Sequence, residues 1–203
     1  MFKRNQLYVS LFAATMVLGT STAMAQESVS SSASIVVQNA FDLTEVAPLD
    51  FGTVRATVDS DPTDDTGSVS IASFTLGADG STGSVSLAGG ATTVAALSVI
   101  ANGTPAEFAI ANASPFTTIN ISSVTAFDLV NTGAAPGTAV FGVSSVIFRE
   151  VGATANGTTV TTDIGGAAGF TLGATLSTDD ATSAQTNYAD GTYSGTFVMQ
   201  VSY

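Results

Sequence analysis

The sequence predicts an all-β protein, a sandwich or a barrel. Short runs rich in Val, Ile, Phe and Thr recur along the chain, and clusters of Gly, Asn, Asp and Pro divide them. No window has the apolar spacing of a long amphipathic helix. The last stretch alternates: Tyr193, Gly195, Phe197, Met199, Val201 and Tyr203 share one parity to the final residue, the signature of a strand with one buried face.

The elements follow in order. Lys3 and Arg4 precede an apolar run from about Leu7 to Leu18, and Ala23-Met24-Ala25 stands before Gln26. A basic start, a run too short to cross a bilayer and an A-x-A site describe a secretory signal peptide over residues 1–25. The expected mature chain is therefore secreted, passing through a periplasm to the cell surface or medium, with no integral membrane segment after cleavage. Residues 26–33 read as a flexible Ser-rich leader, and residues 34–203 as a single all-β domain.

Strands are predicted over residues 33–41, 49–54, 68–76, 83–87, 92–101, 106–111, 119–129, 139–149, 158–162, 170–176 and 192–203. Turn chemistry fits these divisions. Asn102-Gly103 and Asn156-Gly157 carry the pair that favours a type I′ hairpin, and Asp79-Gly80 and Asp190-Gly191 are similar. In the first strand Ile35, Val37 and Phe41 lie on one face, while Val36 and Ala40 lie on the other, so it could be covered on both sides.

Three segments carry a family likeness. Pro48-Leu-Asp-Phe-Gly-Thr-Val54, Gly169-Phe-Thr-Leu-Gly-Ala-Thr-Leu176 and the terminal stretch from Gly191 to Tyr203 together resemble the domain of unknown function 4402 family, with Ala106-Glu-Phe-Ala-Ile-Ala111 as a mid-domain strand. The outline is also similar to subunits of archaic chaperone-usher pili and to spore-coat-U-like domains, although this chain lacks the cysteines of the latter. That resemblance implies an immunoglobulin-like β-sandwich lacking one strand, completed by the N-terminal segment of a neighbouring subunit. It further implies a periplasmic chaperone and an outer-membrane usher as partners.

Composition removes other functions. Once the signal is cleaved there is no Lys, and two arginines face 16 acidic residues for a net charge of −14. Nucleic acids and anionic membranes need a basic patch that this chain cannot build. With no His, no Cys and no mature Lys, the usual general bases, nucleophiles and metal ligands are missing, so no enzyme activity, catalytic residue or cofactor is expected. A carboxylate pair could serve glycoside hydrolysis, but no Trp is present to form a sugar platform. The acidic run Asp59-Ser-Asp-Pro-Thr-Asp-Asp65 has oxygen ligands at close spacing but does not match the EF-hand order. It reads as a solvated, Pro-bent loop, and no metal site is assigned.

What remains is assembly. Ile35, Val37 and Phe41 form the expected donor strand, and Phe197, Met199, Val201 and Tyr203 the strand bordering an expected receiving groove. The expected function is a structural subunit of a secreted, fimbria-like filament whose partners are copies of itself or related subunits. The alternatives are a self-complete secreted binding or adhesion module and, less favoured, an outer-membrane β-barrel. A barrel needs aromatic girdles at both interfaces, which three mature tyrosines and no Trp supply poorly.

Overall fold

β-branched and aromatic runs become twelve strands in the computed structural model, which describes residues 32, 34–35, 40–59, 69–89, 94–122, 124–180 and 186–203. They are β1 (Asp42–Ala47), β2 (Thr53–Thr57), β3 (Ile71–Leu76), β4 (Ser86–Ala88), β5 (Ala96–Ala101), β6 (Ala106–Ala111), β7 (Thr118–Ile121), β8 (Phe127–Leu129), β9 (Phe141–Glu150), β10 (Thr159–Thr161), β11 (Ala168–Ser177) and β12 (Val201–Ser202). No helix occurs among the described residues. The chain divides into Met1–Val37 and Gln38–Tyr203, and every strand belongs to the second unit. The expected all-β sandwich is the architecture found.

β11 organises the larger sheet. One of its edges pairs with β9 along residues 170–177, and the other pairs first with β6 over 168–172 and then with β3 over 174–177. The handover from β6 to β3 falls at Gly173, where a Cβ would collide with the Leu76 carbonyl. Only a glycine lets the backbones approach so closely. β1 extends this sheet beyond β6, β4 beyond β3, and β8 beyond β9. Two smaller sheets, β2-β5 and β10-β7-β12, complete the strand set.

Alternation fixes what goes inside. β3 buries Ala72, Phe74 and Leu76, β6 buries Ala106, Phe108 and Ile110, and β7 buries Ile119 and Ile121. Two core clusters result. One joins Phe51, Phe74, Leu76 and Leu97 to Phe141 and Leu176, and the other joins Phe108, Ile119, Phe148 and Val160 to Phe170 and Leu172. Phe170, wholly buried, stacks on Phe108 at 5.2 Å and meets Phe148 edge-on at 6.3 Å.

Four expectations are corrected. First, of the strand expected over 33–41, residues 33 and 36–39 lie outside the described residues, Ala40 and Phe41 lie outside any strand, and the first described strand is Asp42–Ala47. It is fixed by pairing to β6 and by the Asn112 Nδ2 donation to Asp42 Oδ2 at 2.6 Å. Second, the predicted strand over 119–129 divides into β7 and β8, because β7 pairs with β10 and β12 whereas β8 crosses to pair with β9. Third, neither Asn-Gly pair makes a type I′ hairpin. β5 and β6 pair with other strands, as do β9 and β10, and neither Asn102 nor Asn156 has the positive φ that such a turn requires. Fourth, the terminal strand is only Val201–Ser202, with an isolated bridge from Ser194 to Val130 upstream.

Candidate functional site

The terminal stretch keeps its predicted parity without becoming a strand. Tyr193, Phe197, Met199 and Val201 are half-buried, and the intervening residues are exposed. Its backbone is held only at points. Ser194 exchanges two 3.0 Å hydrogen bonds with Val130, Ser122 N donates to Gln200 O at 2.8 Å, and Val201 pairs with Ile121. Between these anchors, residues 195–199 make no backbone hydrogen bond to any described residue.

Across from it lies a second unpaired edge. β1 gives its ladder to β6 and β2 gives its ladder to β5, and neither has a second partner among the described residues. Pro48 and Gly52 bend the chain between the two strands, Gly52 with φ +80°. That bend lets one edge strand pass from the larger sheet to the smaller one. β1 is exposed on both faces, including the apolar Leu43 at 37% and Val46 at 59%. An edge strand with apolar side chains exposed on both faces is what folded domains ordinarily avoid.

An open groove separates these flanks. Its wide end is a cleft of about 810 Å³ between β2 and residues 188–197, floored by Phe127, Leu129, Phe141 and Leu176. Its narrow end, about 390 Å³, lies between Leu43 and Glu45 of β1 and residues 196–199. The two ends adjoin at Phe197, which lines both and contacts Phe127 at 5.3 Å between ring centroids. Phe141 and Leu176 belong to the first core cluster, so the groove opens onto the interior of the sandwich.

An aromatic cluster holds the wide end open. Tyr188 stacks on Phe141 at 4.2 Å, and Tyr193 meets Phe141 edge-on at 5.1 Å. The Tyr188 hydroxyl accepts from Asp179 N at 2.8 Å and donates to Val140 O at 3.1 Å. Burial pushes the Tyr188 phenol well above its ordinary value, so it stays a neutral donor. The Tyr193 hydroxyl closes on Ala189, accepting from its N at 3.0 Å.

The flanks run in opposite directions. Phe41, just before β1, packs edge-on against the last residue, Tyr203, at 5.3 Å, whereas Val54 and Ala56 share the wide end with Tyr188 and Asp190. A strand entering between them is antiparallel to one flank and parallel to the other.

Of the residues read as the site, the structure brings Phe197 and Met199 to the groove wall, places Val201 in β12, and leaves Tyr203 partly exposed beside Phe41. Phe41 is corrected: it packs against the second core cluster of its own unit and is not free to be donated. Ile35 is 86% exposed, and Val37 lies outside the described residues. Missed in the sequence were Leu43 and Val46, because Asp42 and Glu45 break the alternation around them, and Phe127 and Leu129, assigned to an unbroken longer strand.

The acidic run is also corrected at its first member. Asp59 is buried rather than solvated and accepts from Ser70 N at 2.8 Å, while Ser60–Asp65 lie outside the described residues. No cluster of three or more metal-ligating side chains occurs among the described residues, and no described helix is long and apolar enough to cross a membrane. No family model matches the chain, and no curated protein or solved structure matches it. The functional reading therefore rests on the geometry and the motifs.

Proposed function

We propose that the chain is a structural subunit of a secreted, fimbria-like surface filament that assembles by β-strand complementation. The observation that carries this reading is the groove, two backbone edges without a partner strand among the described residues, facing each other across a floor of core side chains. A strand laid there would satisfy both edges and bury the floor together. The segment before the folded unit has the right chemistry. Ile35-Val36-Val37 is β-branched, uncharged and immediately upstream of Gln38, where the strand-bearing unit begins.

Direction separates donation from self-completion. A segment folding straight back from Phe41 into its own groove runs antiparallel to β1, and so parallel to the C-terminal segment. A segment from a neighbour can instead run antiparallel to the C-terminal segment and parallel to β1, an orientation that the short link to Phe41 does not allow a strand folding back into its own groove. Before assembly an open groove floored by core side chains needs cover, which is the role a periplasmic chaperone would fill, with an outer-membrane usher as the site of exchange.

The test uses signal-less protein starting at Gln26. A ladder of oligomers is expected, together with loss of that ladder on deleting residues 26–39 and stabilisation of the deleted form by a free peptide of those residues. Val37→Asp, which sets an unpaired charge against the groove floor, should lower polymer yield. A single monomer peak from the full mature chain would instead favour a self-complete binding module.

A further inference from the structure

One pole of the unit carries exposed apolar side chains in places that folding alone does not explain. Residues 114–117 form a turn with Pro115 second and Phe116 third, and Phe116 has φ +54°. That pattern calls for Gly or Asn at the third position, and a bulky residue there is a genuine outlier. The strain is imposed by the buried Thr162 hydroxyl, which donates to Ser114 O at 2.7 Å and accepts from Thr117 N at 2.8 Å. The Phe116 side chain gains no burial in return, since the residue is 71% exposed.

Its neighbour repeats the pattern. Phe116 N donates to Asp163 O at 3.3 Å, and the next residue, Ile164, stands at a turn tip with 79% exposure. The Asp163 carboxylate holds that turn by accepting from Gly165 N at 2.8 Å and Ala167 N at 2.9 Å, so Ile164 is not needed to form it. Ser114 N in turn donates to the Tyr203 hydroxyl at 3.2 Å, and Tyr203 packs on Phe41. Phe116 and Ile164 therefore sit at the pole where the N-terminal segment joins the folded unit.

We infer that the Phe116–Ile164 pole is a packing surface for a second copy of this chain, the copy whose groove receives the N-terminal segment. The inference rests on strand donation. Three residues, Gln38 to Ala40, link Val37 to the anchored Phe41, and that tether spans at most about 14 Å when fully extended. A neighbour holding Val37 is thereby kept within that distance of Phe41, which joins this pole through Tyr203 and Ser114. Burying Phe116 and Ile164 there turns a link through a tether into a fixed joint, and relieves the exposure of two apolar side chains.

The chain contains no Trp, so Phe116→Trp installs a single indole at the joint. Its emission is compared in polymer and in the mature chain kept monomeric by excess free peptide of residues 26–40, which fills the groove without supplying a neighbour. A blue shift confined to the polymer is expected. Polymer with the same emission as the peptide-filled monomer overturns the inference while leaving strand donation intact, and failure of the mature chain to polymerise at all overturns both. As a second variant, Phe116→Asn with Ile164→Asn should still polymerise but depopulate the docked joint by about tenfold or more. Electron micrographs should then show filaments that bend freely, and unchanged stiffness would contradict the proposal.

Discussion

β11 and the C-terminal stretch Thr192–Tyr203 are both written with apolar residues at alternating positions, yet only the first is a strand throughout. β11 runs ten residues with a partner on each edge, while the C-terminal stretch contributes two strand residues and a bridge. The difference lies in their neighbours. An alternating pattern decides which side chains turn inward, but a strand needs a ladder, and residues 195–199 face a groove where no described segment stands. The groove side thus sets core side chains between two flanks that no described strand joins, and that side is where we place its function.

The largest expected effect tests the closed side. Phe170→Ala removes a fully buried ring in contact with Phe108 and Phe148 and should cost about 3–5 kcal/mol in urea denaturation. Phe197→Ala, on the half-buried groove wall, should cost about 1 kcal/mol in the unfilled domain and clearly more once a strand peptide is bound. Equal costs at the two positions, with or without peptide, would erase the distinction between the sides.

Next in size is Leu43→Asp. Its side chain is partly exposed on the unpaired β1 edge, so the unfilled domain should keep its stability to within about 0.5 kcal/mol. Titration with the peptide of residues 26–40 should nonetheless show an affinity loss of about tenfold or more. A smaller effect is expected at Phe116→Asn, where Asn tolerates the positive φ. The monomer should gain about 1 kcal/mol, read as a higher denaturation midpoint.

The smallest effect is one of pH. Hydrogen bonds from the Ser81 side chain and backbone, with a lesser contribution from Arg149, hold the exposed Asp79 carboxyl below its ordinary value. A depressed value favours folding above the unfolded-state pKa, and the contribution is lost as pH falls through the folded one. Asp79→Asn should therefore lower the midpoint slightly at neutral pH and not at strongly acidic pH, and a drop at both would point to lost hydrogen bonding instead.

Much of the sandwich was legible in the chain. β6 occupies the residues its apolar pattern marks, Ala106 to Ala111, and β11 extends the predicted run by two residues at its start and one at its end. These strands satisfy local preference and tertiary pairing together. β1 was not legible because Asp42 and Glu45 interrupt its alternation, and its place is set by long-range pairing to β6 and by Asn112. The Asn-Gly turns misled for a related reason: local turn chemistry says nothing about which sheet the next strand joins, and β5 and β6 belong to different ones. Of the groove, the sequence marked one wall through Phe197 and Met199. The opposite wall and the floor depend on contacts among distant segments, which no local pattern encodes.

Amide hydrogen exchange on the domain lacking residues 26–39, with and without the peptide of those residues, tests the open groove most directly. Without peptide, the amides of residues 195–199 should exchange fast while those of β11 stay protected. Peptide should slow exchange along residues 195–199 and along the outer edge of β1 together, since one inserted strand serves both flanks. Protection already present in the unfilled domain, or exchange indifferent to the peptide on both flanks, would contradict the account.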